Sequence, residues 1–232
     1  MTDSRSRILA SLRRSLAAAR HLPEAPSVTL TPQLPITNHP LLIEKFANEL
    51  RSLSGAFLIA PRADVPTLVA RLMRERNATS LLAWDQPHLP VPGVLDYLRD
   101  EEGLTVVEAN LPHAEPARSA RLAEVERVTI GLTGADAALA DTGTLALRAG
   151  PGRPRLASLS VRTHIALFTA NQLYASWAAW WEQMSDKSEW VRAASRSSSV
   201  TLISGPSRTA DIEMTLTVGV HGPGEVIAVL CG

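Results

Sequence analysis

Three glycine-bearing segments concentrate the residue types that can do chemistry. Residues 131–136 (GLTGAD) and 140–144 (ADTGT) form the first, 204–213 (SGPSRTADIE) the second and 219–224 (GVHGPG) the third. Glycine lets a backbone approach a ligand closely, while hydroxyl, carboxylate, guanidinium and imidazole groups supply hydrogen-bond donors, acceptors and a base. Each segment adjoins an apolar run typical of a strand. The three segments are therefore candidate parts of a binding or catalytic site.

The first segment has two interpretations. In the functional one, Thr142, Gly143 and Thr144 bind polar oxygens of a substrate, and Asp141 accepts a proton. In the structural one, Asp136 caps the end of an element and Gly143 forms a hairpin turn. Composition alone favours the structural interpretation.

The second segment follows an apolar run and is predicted to open a helix. Ser207 or Thr209 would be its N-cap, and Asp211 and Glu213 would lie in the first turn. A helix N-terminus binds anions, and Arg208 could hold a carboxylate through two hydrogen bonds. Ser207, Arg208, Thr209 and Asp211 are therefore candidate substrate-binding residues. The alternative is an ordinary cap, with Arg208 paired to Asp211 or Glu213.

The third segment places His221 among glycines. Imidazole changes protonation near neutral pH, so His221 is a candidate proton acceptor. The alternative is a turn histidine without a chemical role, and a lone loop histidine favours that alternative.

Several kinds of site are not indicated. The one cysteine, Cys231, cannot form an internal disulfide, a cysteine zinc site or an iron–sulfur cluster. No two histidines have the i, i+4 spacing of helical metal ligands, so no metal site is predicted. The nicotinamide fingerprint, the Walker loop and the Gly-x-Ser-x-Gly motif do not occur. The sequence leaves the identity of any cofactor unknown.

Charge and hydropathy exclude further classes. Lys plus Arg and Asp plus Glu number 23 each, so the net charge of zero gives no electrostatic footprint for nucleic acid. No apolar run approaches the roughly 20 residues that a membrane-spanning helix needs. We therefore expect a cytoplasmic protein with no membrane span and no nucleic-acid partner.

The first 39 residues are predicted to be separate from the compact domain at 40–232. Ile8, Leu9, Leu12 and Leu16 lie on one side of an arginine-rich amphipathic helix. The same composition overlaps with organellar transit peptides, which is the alternative. Prolines between positions 23 and 40 indicate an extended linker after the helix.

From residue 40 onward, apolar stripes at helical spacing alternate with short apolar runs. The predicted helices are 41–53, 65–73, 94–102 and 117–126, and the predicted strands are 56–60, 80–84, 105–107 and 128–131. This alternation indicates an α/β fold, a mostly parallel sheet flanked by helices, with strand 56–60 buried on both faces. Further predicted elements are strands 144–147, 165–168, 200–203 and 226–230, a Trp-bearing helix at 171–183 and an exposed loop or short helix at 186–199.

Together the three segments resemble the signatures of the LUD domain family, in its lactate utilization protein C group. The resemblance covers residues 40–232 and implies a fold like that of the NagB/RpiA/CoA-transferase superfamily. It also implies a role in converting L-lactate to pyruvate with iron–sulfur partner proteins. The family usually has glutamate before Thr-Gly-Thr, whereas this sequence has Asp141, which is shorter by one methylene.

Three hypotheses follow from the resemblance. The chain is a subunit of an L-lactate oxidation system, in which Arg208 holds a small carboxylate and His221 or Asp141 accepts a proton. Alternatively, it is a non-catalytic scaffold whose Trp face and N-terminal helix contact the iron–sulfur subunits, or a stand-alone enzyme acting on a phosphorylated or carboxylate metabolite. Whether the chain is itself an enzyme stays open. We expect the three segments to meet outside the carboxyl ends of the strands, where open α/β sheets bind ligands.

Overall fold

The computed structural model describes residues 4–18, 39–183, 197–210 and 216–232. It contains two compact units, residues 1–32 and 33–232. In the first unit, α1 (Ser4–Ala18) confirms the predicted helix, and Ile8, Leu9 and Leu12 are exposed on it. The predicted proline-rich linker lies outside the described residues.

The second unit alternates helices and strands, as the sequence predicts. Its helices are α2 (His39–Ser52), α3 (Val65–Glu75), α4 (Val94–Asp100), α5 (Ala117–Glu126), α6 (Leu156–Leu159) and α7 (Trp177–Gln183). Its strands are β1 (Ala56–Ala60), β2 (Ser80–Ala83), β3 (Thr105–Val107), β4 (Ile130–Gly134), β5 (Ala137–Leu139), β6 (Thr144–Ala149), β7 (Thr163–Thr169), β8 (Leu173–Tyr174), β9 (Ser199–Ile203), β10 (Arg208–Ala210), β11 (Leu216–Val218) and β12 (Glu225–Cys231).

A six-stranded parallel sheet in the order β1-β12-β7-β4-β2-β3 is the centre of the fold. It confirms the predicted α/β class. A second sheet, β8-β5-β6-β9, contains the antiparallel hairpin of β5 and β6, and β10 pairs with β11 in a third, two-stranded ribbon. The main sheet therefore carries the regular part of the chain, and the smaller sheets come from its less regular C-terminal half.

Aromatic and aliphatic side chains fill the space between the main sheet and its helices. Phe46 of α2 lies 5.7 Å from Phe57 of β1 and 5.4 Å from Phe168 of β7, measured between ring centroids in edge-on contacts. On the next helix, Val65, Val69 and Met73 recur every four residues and are fully buried. Burying each such side chain contributes about 1.5–3 kcal/mol.

The strand order divides the sheet between β2 and β4. The chain leaves β2 outward to β3, returns to β4, and then continues in the opposite direction through β7 to β12. Ligands of open α/β sheets bind outside the carboxyl ends of the strands at such a switch point. We call the region at the ends of β2 and β4, around Trp84 and Asp136, the carboxyl edge. The region at the starts of β1, β7 and β12, around Gly55, Arg162 and Glu225, is called the amino edge.

Three predictions from the sequence are wrong. The helix expected after Ser207 is strand β10, because its backbone pairs with β11 in the register Arg208↔Val218. The Trp-bearing helix begins only at Trp177, because Leu173 and Tyr174 pair with β5 instead. Strand β1 is not buried on both faces: it is an edge strand, and Ile59 is 63% exposed.

The proposed exposed Trp face is also wrong in part. Trp180 is buried beneath the second sheet against Ala137, Leu139 and Ala146, whereas Trp177 is exposed. Their rings meet edge-on with centroids 5.1 Å apart. Most of the predicted polar loop at 186–199 lies outside the described residues. No helix in the described part of the chain is long and apolar enough to cross a membrane.

Candidate functional site

The second and third signature segments are joined at the amino edge. The backbone N–H of Ser207 donates to the carbonyl of Pro223 at 2.8 Å, and Gly219 donates to the carbonyl of Ser207 at 2.8 Å. The loop then enters β12, where the Glu225 N–H donates to the carbonyl of Arg162, one residue before β7. The predicted convergence of these segments is therefore found, but where the strands begin and not where they end.

The turn of the first segment contacts the second segment through hydroxyl groups. Thr144 Oγ1 lies 2.7 Å from Ser204 Oγ and donates to Thr142 Oγ1 at 2.8 Å. Gly143 has a positive φ of 60°, and a β-carbon there would lie 2.4 Å from the backbone nitrogen of Leu50 in α2. Only glycine fits this turn against the helix. The hairpin expected at Gly143 is confirmed.

Arg208 does not lie at a helix N-terminus. Its Nη2 atom donates to the carbonyl of Leu53 at 2.8 Å and to Ser54 Oγ at 2.6 Å, in the connection between α2 and β1. This contact fixes the second segment on the end of α2. The carboxylate clamp that the sequence assigned to Arg208 stays a prediction, with Nη2 already engaged in these two hydrogen bonds.

An open pocket of about 580 Å³ adjoins these segments, between the end of α6 and the third segment. Its titratable lining residues are Arg162 and His221, and both are exposed. The volume is in the range of small-molecule sites, and an arginine and a histidine that line one pocket suit a small carboxylate. No motif pointed to Arg162, because this residue follows a short helix outside every signature segment.

None of the remaining predicted site residues that the structure describes lines this pocket. Asp141 is half-buried at the hairpin turn, where its carboxylate accepts the Thr142 hydroxyl at 3.3 Å, and it does not line the pocket. Thr209 pairs with Thr217 across the β10–β11 ribbon. Asp211 lies outside the described residues.

Glu225 anchors the strand that follows the third segment. Its carboxylate accepts Arg76 Nε at 2.7 Å and Nη2 at 2.5 Å, and the Thr163 hydroxyl at 2.8 Å. The hydrogen bonds from Arg76 lower the pKa of Glu225, and partial burial opposes this effect. The hydrogen bond from Thr163 lowers the pKa further. The same pairing raises the pKa of Arg76. The end of α3 is thereby fixed to the start of β12.

His164 is buried behind the amino edge on β7. One ring nitrogen, Nε2, lies 2.8 Å from Thr133 Oγ1 on β4, and the other has no hydrogen-bond partner among the described residues. Burial lowers the pKa of His164 to about 4, so the ring is neutral at pH 7. We interpret His164 as a core residue of the sheet, since it lines none of the described pockets.

The carboxyl edge holds a separate charged cluster. Asp136 receives hydrogen bonds from Arg148 and Arg153, and Trp84 lies beneath the Arg153 guanidinium. Of the first segment, only the part around Asp136 reaches this edge. The expectation that all three segments meet at the carboxyl ends is therefore wrong, because β5 and β6 carry the Thr-Gly-Thr turn away to α2. No group of three potential metal-ligating side chains occurs in the ranges that the structure covers.

Comparisons with a family profile and with individual proteins point to the same family. The sequence profile of the LUD domain matches residues 43–231. A lactate utilization protein C from Geobacillus sp. (strain WCH70) is 32% identical over 163 residues, which are 69% of this chain and 65% of that protein. One from Halalkalibacterium halodurans is 34% identical over 158 residues, which are 67% of this chain and 64% of that protein. These two matches thus span just under two thirds of each relative's length.

A third relative is matched over almost its whole length. The lactate utilization protein C of Oceanobacillus iheyensis is 25% identical over 228 residues, covering 95% of this chain and 94% of that protein. Among solved structures, a DUF162 family protein from Deinococcus radiodurans superposes with a TM-score of 0.59 at 19% identity, covering 84% of this chain and 99% of that one. This structural likeness supports the fold alone.

Proposed function

Because the chain belongs to the LUD domain family, we propose that it is a component of an L-lactate oxidation system that acts with iron–sulfur partner proteins. Relatives named lactate utilization protein C support the substrate. The observation that carries a binding role is the pocket at the amino edge. There, Arg162 and His221 line one pocket beside two joined signature segments.

The pocket suits the chemistry of a 2-hydroxy acid. Arg162 binds the carboxylate of L-lactate, and the His221 imidazole accepts the hydroxyl proton as the C2–O bond becomes a carbonyl. Conversion to pyruvate also removes the C2 hydrogen, so two electrons and a second proton must leave. In this proposal the two electrons pass one at a time to the redox centres of the iron–sulfur partners and the second proton is released to solvent, since the single Cys231 cannot ligate a cluster.

The other signature residues position this pocket. Thr142 and Thr144 hold the hairpin turn to Ser204, and Arg208 holds the second segment to the end of α2. Because Ser207 is bonded to both ends of the third segment, these contacts set the location of His221. Asp141 stays a second candidate proton acceptor, and Asp141→Asn is the variant that separates its role from that of His221.

The test is L-lactate-dependent reduction of an artificial electron acceptor in a reconstituted system. The chain alone, the partner proteins alone and the mixture are measured side by side. We expect activity only in the mixture. Equal activity from the partners alone would refute a required role for this chain, and activity from the chain alone would refute the dependence on partners.

A scaffold that holds the iron–sulfur subunits is the second candidate function. The observation in its favour is α1, which exposes Ile8, Leu9 and Leu12 and carries four arginines but no acidic residue. Deleting residues 1–38 separates the two functions. If the chain is a scaffold, this deletion abolishes partner binding and replacement of His221 leaves the activity unchanged. If the chain is a substrate-binding subunit, the deletion leaves partner binding unchanged and replacement of His221 lowers the activity.

A further inference from the structure

The charged cluster at the carboxyl edge has more cationic than anionic groups at its centre. Asp136 Oδ2 accepts the backbone N–H of Arg148 at 2.7 Å, and Oδ1 accepts Arg148 Nε at 2.7 Å. Arg153 Nη1 reaches the same Oδ1 atom at 3.2 Å. The Asp136 carboxylate therefore accepts hydrogen bonds from two guanidinium groups, and the longer of these contacts is the one from Arg153.

Arg153 has hydrogen-bonding capacity that the protein does not use. Its Nε atom is buried and has no hydrogen-bond partner in the described part of the chain. The guanidinium lies 5.8 Å from the ring centroid of Trp84, while the backbone is fixed by reciprocal hydrogen bonds with Gly150. A buried guanidinium N–H without a hydrogen-bond partner raises the free energy of the folded protein. Binding of a ligand is therefore favoured if the Arg153 side chain rotates so that its Nε–H donates to an acceptor on that ligand. The turn costs one hydrogen bond of 3.2 Å to Asp136.

Two further polar side chains border Gly152, the residue before Arg153. A β-carbon on Gly152 would lie 2.8 Å from both Asp85 Oδ2 and His88 Nε2, so these atoms flank the residue before Arg153. The Asp85 N–H donates to the carbonyl of Gly152 at 2.8 Å, which holds this turn against the end of β2. Asp85 and His88 are both exposed, so solvent reaches this side of the cluster.

We propose that the carboxyl edge is a second binding site, for a small carboxylate that carries a hydroxyl or ammonium group. Arg153 binds the carboxylate, and Asp85 accepts a hydrogen bond from the hydroxyl or ammonium group. The carboxylate of Asp85 repels a doubly charged phosphate, which selects a singly charged ligand. The location agrees with the rule that open α/β sheets bind ligands where the strand order divides. The site is distinct from the amino-edge pocket and does not depend on the proposed function.

The side chain of Arg153 can be observed directly in the full chain. In ¹H–¹⁵N spectra of arginine Nε–H groups, titration with L-lactate is expected to shift the Arg153 resonance saturably. Acetate, which lacks the second donor, should require a several-fold higher concentration, and inorganic phosphate should bind more weakly than L-lactate. No saturable shift at Arg153, or tighter binding of phosphate, would overturn the proposal.

Variants separate this site from its surroundings. With binding followed by the backbone N–H resonance of Gly152, Arg153→Gln should raise the L-lactate Kd at this site at least tenfold, whereas the exposed neighbour variant Arg155→Gln should leave it unchanged. Equal effects of the two variants would overturn the proposal. Arg162→Gln should leave the Arg153 shift intact, so failure of the amino-edge pocket and failure of this site give different results. If Arg153→Gln does not fold, the titration of the unmodified chain still decides the outcome.

Discussion

The contacts between the signature segments at the amino edge differ from those of the charged cluster at the carboxyl edge. At the amino edge, the signature segments meet through neutral contacts: the Thr144–Ser204 hydroxyl pair, the close approach of Gly143 to α2 and the backbone bonds of Ser207. At the carboxyl edge, Asp136 holds two guanidinium groups. Thr144, Ser204 and Ser207 are far apart in sequence, but each lies within a short glycine-bearing segment, so the sequence shows the amino edge as a recognisable motif. In the charged cluster only Asp136 lies in such a segment, and Arg148 and Arg153 follow it outside any motif.

The largest effect that we expect concerns the carboxyl edge. Asp136→Asn should lower the free energy of unfolding by about 4 kcal/mol, because it leaves Arg148 and Arg153 partly buried without a counter-charge. Urea unfolding measures the loss. The control is Asp96→Asn, which breaks an exposed pair with Arg99 and should cost less than about 1 kcal/mol. If both substitutions cost equally little, the carboxyl edge is not held by its ion pairs.

The next effect tests the close approach at the amino edge. Gly143→Ala should cost about 3 kcal/mol, from a left-handed backbone and a β-carbon forced against Leu50. Gly103→Ala is the matched control: its φ is 66°, but nothing lies within 4 Å of the added carbon. It should cost only about 1 kcal/mol, from the backbone conformation alone. Equal costs in urea unfolding would show that the turn does not press on α2.

His164 gives the amino edge a dependence on pH. Its pKa of about 4 lies below the ordinary histidine value near 6.5. Between about pH 4 and pH 6.5 the unfolded chain binds a proton at this histidine and the folded chain does not. The free energy of unfolding is therefore highest above the ordinary histidine pKa and falls as the pH is lowered below it. From pH 7 to pH 5 the loss should be about 2 kcal/mol. His164→Gln should remove this part of the pH dependence in urea unfolding, whereas His113→Gln, at an exposed position, should retain it.

The smallest effect concerns the ion pair that fixes β12. Because Arg76 lowers the pKa of Glu225, its stabilisation is present above the ordinary glutamate pKa and is lost as pH falls through the lowered value. Glu225→Gln should cost about 1 kcal/mol at pH 7, since the carboxylate is 41% exposed and solvent screens the pair. Glu75→Gln, whose carboxylate contacts Arg76 at 3.5 Å, should cost less. Thermal unfolding of both variants measures the difference.

Periodicity predicted the main sheet well, and in the smaller sheets it predicted β6 and β9 but not β5, β8, β10 or β11. β1 and α5 match their predicted bounds, because an apolar run or a helical stripe reports local burial. β10 was predicted as a helix, because Ser207 and Thr209 suit an N-cap as well as a strand. Exposure of Ile59 could not be predicted, since it depends on β1 lying at the sheet edge, and strand order is not encoded in local periodicity.

The sequence predicted that the signature segments come together but not where they do so, and the roles of their residues stay predictions. The sequence identified His221, Ser207 and the Thr-Gly-Thr turn, and the structure brings the segments that carry them together. The sequence-based prediction located these segments at the carboxyl ends of the strands, because most open α/β sheets bind ligands there. Arg162 and Arg153 were missed, since an arginine outside a motif has no local signal.

The most direct test of a catalytic role for the amino edge is the rate of L-lactate-dependent acceptor reduction in the mixture with the iron–sulfur partners, measured for His221→Ala and His113→Ala. Loss of the proton acceptor should lower the rate about 100-fold or more, while His113→Ala should match the unmodified chain. Partner binding by both variants, measured in parallel, should be unchanged. A His221→Ala mixture as active as the control would contradict the assignment of the chemistry to this edge.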